Sequence, residues 1–104
     1  IIDAEKYIFY LTLINQRLNK IHEVTSLTKS LNIEEAISSL KPPIFWKDKP
    51  NFLIQIRKWN LNKIKTILDK TYNLEIEIKS NAIINKNILM KKLLVDICEL
   101  ANVT

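Results

Sequence analysis

The chain has 104 residues, 47% apolar and 26% charged, with 16 Lys and Arg against 11 Asp and Glu for a net charge of +5. That is the size and balance of one ordinary globular domain, and its short apolar runs exclude a membrane span. Glycine is absent altogether, which excludes a Walker-type phosphate loop and a dinucleotide-binding turn, since both need glycine to bring backbone against phosphate.

Residues 3 to 28 read as a long amphipathic helix. Ala4, Leu11 and Leu18 recur at heptad spacing, as do Tyr7, Ile14 and Ile21, and together they make one apolar stripe. Ile8 and Tyr10 broaden it, leaving Lys6, Gln16, Arg17 and Lys20 for the other sides. Ser30-Leu31-Asn32 breaks the pattern, and Asn32 with Glu35 forms a capping-box-like pair. A short second helix is expected from Ile33 to Leu40, with Ile33, Ala36, Ile37 and Leu40 on one side. Glu34 and Glu35 then sit at its positive dipole end. In a chain without glycine, asparagine is the expected residue for left-handed positions at helix C-termini.

The stretch Lys41-Pro42-Pro43-Ile44-Phe45-Trp46-Lys47-Asp48-Lys49-Pro50 divides the chain. A residue before proline is pushed out of the α region, so the second helix stops there. Pro50, with a preset φ and no N–H, suits the first turn of a third helix from Lys49 to Lys58. That helix buries Phe52, Leu53, Ile56 and Trp59. Phe45 and Trp46 fall in the connecting loop, where an aromatic pair either plugs the core or faces a ligand. The residues favour a plug for Phe45 and leave Trp46 open between the two.

Asn60 caps a fourth helix from Leu61, with Leu61, Ile64, Ile67, Leu68 and Thr71 at helical spacing. Leu74-Glu75-Ile76-Glu77-Ile78-Lys79 alternates like a half-buried strand. No second alternating run exists to pair with it, so the helix is expected to continue to about Ser80-Asn81, with Glu75 and Lys79 as an i,i+4 ion pair. Asn85 or Asn87 caps the last helix, which runs to about Ala101. Its apolar face (Ile88, Leu89, Met90, Leu93, Leu94, Ile97, Cys98, Leu100 and Ala101) is wider than one monomer covers, so part of it should face a partner subunit. The fold class is all-α, five helices and no sheet.

Catalytic signals are missing. One cysteine cannot form an internal disulfide, which suits a reducing cytoplasm, and one histidine leaves no zinc-type cluster. Cys98, beside Ile97 and Leu100, reads as a small core residue. His22 suits the negative dipole end of the long helix. Capping and ion pairing account for Glu34/Glu35 and Glu75/Glu77, so no catalytic, metal or cofactor residue is assigned. The positive charge is read first as a solvated lysine-rich surface. One feature suits nucleic acid: Trp46 between Phe45 and Lys47, with Lys41 and Lys49 close in sequence, is a combination that stacks a base and steadies a phosphate.

The order of these features resembles the C-terminal part of the bacterial DNA polymerase III delta subunit. The likeness is carried by Asn32-Ile33-Glu34-Glu35-Ala36-Ile37, by Leu40-Lys41-Pro42-Pro43-Ile44-Phe45-Trp46-Lys47, and by Trp59-Asn60-Leu61-Asn62-Lys63-Ile64. It continues through Glu75-Ile76-Glu77-Ile78-Lys79-Ser80 and closes with Leu89-Met90-Lys91-Lys92-Leu93-Leu94. It spans nearly the whole chain; each motif is soft, and their order and spacing are the specific part. The resemblance implies an all-α collar domain that joins delta to the clamp-loader ATPase (gamma/tau) subunits and delta-prime, in a five-membered ring that loads the sliding clamp onto primed DNA. It further implies a cytoplasmic, non-membrane replisome component with no catalysis or cofactor of its own. DNA polymerisation and ATP hydrolysis belong to other subunits, and the clamp-contacting and ATPase-like parts lie upstream, in keeping with a start at Ile1.

By the same likeness an aromatic at Trp46 lies near the exit of the template strand. A second aromatic found in some members just beyond the position of Lys79 is missing, the residues being Ser80, Asn81 and Ala82. Collar assembly is therefore the stronger expectation, and DNA contact by this domain is weak at most. The expected subunit interface is Leu89, Leu93, Leu94 and Leu100, and the expected template contact is Trp46, Lys47 and Lys49. The competing reading is a free-standing basic helical nucleic-acid-binding domain, which would bind DNA tightly and salt-sensitively by itself.

Overall fold

The computed structural model describes residues 2–80 and 85–102. Among them the chain forms five α-helices and no strand: α1 Ile2–Leu27, α2 Ile33–Ser38, α3 Lys49–Lys58, α4 Leu61–Lys79 and α5 Lys86–Ala101, with a 3-10 turn at Trp46–Asp48. At about 1.5 Å per residue α1 is roughly 39 Å long, and it sets the long axis of a body measuring 47 × 29 × 21 Å.

Two apolar clusters share α1. Its C-terminal half contributes Leu18, Ile21 and Val24 to a cluster with Ala36, Ile37, Leu40, Phe52, Trp59, Ile64 and Ile67. Its N-terminal half places Leu11 with Leu74, Ile78, Met90 and Leu93. Ile14 and Ile97 pack against both clusters, joining them into one core. Where α1 crosses the middle of α4, buried Thr71 donates from Oγ1 to Asn15 Oδ1 at 2.6 Å. This polar contact links the two longest helices, and the same hydroxyl also has the Leu68 carbonyl of its own helix within 2.9 Å.

Asparagine starts helices here and does not end them in the left-handed region. Asn32, Asn60 and Asn85 accept from the backbone N–H of Glu35, Lys63 and Ile88 at 2.9, 2.8 and 3.1 Å. The C-caps Ser39, Trp59, Ser80 and Asn102 all keep negative φ, so no left-handed residue is needed at these ends. Asn81 lies outside the described residues. Removing the cap with Asn60→Ala should cost about 1 kcal/mol, read as a melting point lowered by roughly 5 °C.

Segment 74–79 is helical. The period explains the outcome: Leu74 and Ile78, four apart, both reach the core, while Ile76 between them is turned to the surface. Glu75 and Lys79 are 3.6 Å apart.

Several expectations need correction. The second helix ends at Ser38 instead of Leu40, because Ser38 and Ser39 hydroxyls donate back to the carbonyls of Glu34 and Ala36 and compete with further turns. Leu40 is nevertheless buried. Ile33 and Leu61 are exposed: each is the first residue of its helix, where side chains lean past the N-terminal end. Cys98 is exposed, not core. At about 100° per residue it stands roughly 80–140° around α5 from Met90, Leu93 and Ile97, on the flank it shares with exposed Leu94.

Candidate functional site

Between α2 and α3 the Lys41–Pro42 peptide is cis, and the chain then carries two aromatic rings out of the bundle. Phe45 is 62% and Trp46 72% exposed. The expected plug by Phe45 is thus overturned, and Trp46 is resolved to the outside. The first cluster is filled from this segment by Leu40 and Ile44 and from α3 by Phe52, so neither ring is needed inside. The rings are tilted by 52° with centroids 6.0 Å apart. Lys47 Nζ stands 5.3 Å from the centre of the Trp46 ring, close enough for a cation–π contact.

The turn beneath the rings is built from backbone and from charge. Asp48 N–H donates to Phe45 C=O at 2.8 Å, and Lys49 N–H donates to Trp46 C=O. The side chains of the same two residues reach other helices: Asp48 pairs with Arg17 of α1, and Lys49 with Glu34 of α2 at 2.5 Å. Arg17 also lies with its guanidinium carbon 5.3 Å from the centre of the buried Phe52 ring. Of the three residues assigned to template contact, Trp46 and Lys47 form one exposed surface. Lys49 is committed to a carboxylate of the bundle.

The last helix divides its wide face. Leu93 is buried and serves the chain's own core, so it is not free for a partner; the expectation fails for this residue because α1 and α4 both close over it. Leu89 and Leu100 are half-buried at the margins of the two clusters. Leu94 remains 47% exposed, accompanied by Val95 at 53% and by Ile88. A second apolar surface, Phe9 and Leu13 on α1, was missed in the sequence. Its signal was present, since both fall outside the heptad stripe and lie one turn apart. Arg17 and Asp48 were missed as well; nothing in a sequence pairs two charges so far apart.

No group of His, Cys, Asp and Glu able to hold a metal ion occurs among the described residues. No helix among them is long and apolar enough to cross a membrane. The chain matches no protein-family model, no curated protein and no solved structure.

Proposed function

We propose that this chain is a collar-type scaffold domain of a bacterial clamp-loader delta subunit, acting in the cytoplasm in DNA replication. It assembles with the ATPase subunits and delta-prime. On this reading catalysis and ATP hydrolysis belong to those neighbours and to the polymerase, and the sliding clamp is met through other parts of the subunit. The observation that carries the proposal is on α5, where Ile88 and Val95 on one side and Leu94 on another stay exposed although the helix already closes the core. Large apolar side chains left uncovered on a helix that already closes the core are what a neighbouring helix bundle would cover. The order of motifs that resembles the delta subunit is the rest of the support, and the projecting Trp46 with Lys47 would offer a place for template DNA.

The interface test is Leu94→Arg. The side chain is half in solvent, so the melt should move little. Co-purification with tagged ATPase-subunit and delta-prime collars should weaken by roughly tenfold or more, the cost of burying an unpaired charge at an interface centre. Undiminished co-purification would remove α5 from the interface.

A further inference from the structure

Trp46 has little to hold it. With 72% of its surface in solvent, its ring has Phe45 and Lys47 of the same turn beside it, so its placement follows where that turn stands. That turn can keep one attitude only if its ends are tied, and the structure shows two ties. Asp48 closes the turn with its N–H on Phe45 C=O and reaches α1 with its carboxylate through Arg17. Arg17 is itself braced against the Phe52 ring, which is fully buried. Lys49 repeats the arrangement toward α2 through Glu34.

Ion pairs as exposed as these add little to global stability. What they can fix is direction: the turn cannot swing without parting a charge pair on each of two helices. We infer that Arg17 and Asp48 are positioning residues, holding the Trp46 ring in a preset attitude to receive an unstacked base of single-stranded DNA, with Lys47 left for its phosphate. This rests on the template contact proposed above. Its physical content is preorganisation, since a ring already ordered loses less freedom when a base stacks on it. The same argument takes Lys49 out of the phosphate contacts and makes it a second tie.

Asp48→Asn decides the matter by its sign. The change is nearly isosteric and makes the chain more positive, so simple attraction to phosphate would strengthen DNA binding. A positioning role requires the opposite. The probe is a short dye-labelled oligothymidylate at low salt, its fluorescence anisotropy followed as the wild-type chain, Asp48→Asn, Arg17→Met, Trp46→Ala or the exchanged pair Arg17→Asp with Asp48→Arg is added. Melting is recorded for each.

The expected result is unchanged cooperative melting, binding weakened roughly tenfold in Asp48→Asn and Arg17→Met, as for most of one stacking contact, and recovery of most of that loss in the exchanged pair. Binding by Asp48→Asn equal to or tighter than wild type overturns the inference. So does failure of the exchange to restore it, and so does a Trp46→Ala chain that binds as well as wild type. None of these outcomes touches the scaffold reading, which concerns assembly through α5 and is measured without DNA.

Discussion

Phe52→Ala should cost the fold about 3–5 kcal/mol, the usual loss when a large buried ring is truncated. Phe52 has no exposed surface and joins α3 to the α1, α2 and α4 residues of the first cluster. It also lies under Arg17, so the substitution removes the brace of the aromatic turn along with core volume. Domains of this size are commonly stable by about 5–15 kcal/mol, so the variant should melt some 15–25 °C lower or fail to fold at physiological temperature. Phe45→Ala is the matched control: the same residue type only seven positions earlier in the chain, but exposed, with an expected change within about 0.5 kcal/mol. Thermal melts of the two followed by circular dichroism check the division. Equal losses would mean that Phe45 shares the core.

Trp46→Ala should have the opposite profile. The bundle has no need of the ring, so the melt should move by no more than about 0.5 kcal/mol. DNA-dependent clamp loading by a loader rebuilt with the variant should fall about tenfold, and at the upper end of base–aromatic stacking by more. Trp59 stays in place as an internal reference, since it is buried in the first cluster. Acrylamide should quench the wild-type emission in two populations and the variant in one protected population. A variant that loads clamps normally would leave Trp46 as a surface ring without a partner. Loss of the cooperative melt would return the ring to the core.

The helices were legible where punctuation and period agree. Pro50 and the Trp59–Asn60 junction bound α3 at Lys49 and Lys58, and Asn60 and Asn85 cap α4 and α5. The alternating run at 74–79 was decided by what it lacked, a pairing partner, and not by its own pattern. Sidedness was harder to read. Leu93 and Leu94 are neighbours in one apolar run, yet one is core and the other is surface. The period of α5 sets Leu93 with Met90 and Ile97, but on a face this apolar the placement of α1 and α4 decides which side is inward. Phe45 was misassigned because a loop has no periodicity to tell inside from outside. The ties at Arg17–Asp48 and Glu34–Lys49 join residues 31 and 15 positions apart, and long-range charge pairing leaves no mark in local sequence. The site was therefore half legible: its rings could be named in advance, and what holds them could not.

The central claim is that this chain assembles with other collars and does not act alone on DNA. Sedimentation velocity of the chain mixed with the collar domains of the ATPase subunits and delta-prime tests it most directly, with a salt series of the chain alone on primed DNA beside it. A discrete hetero-oligomer, together with weak DNA binding by the isolated chain, is the predicted result. A chain that sediments apart from the collars and holds primed DNA tightly, with affinity falling steeply as salt rises, would contradict the scaffold reading and leave a basic helical DNA-binding domain in its place.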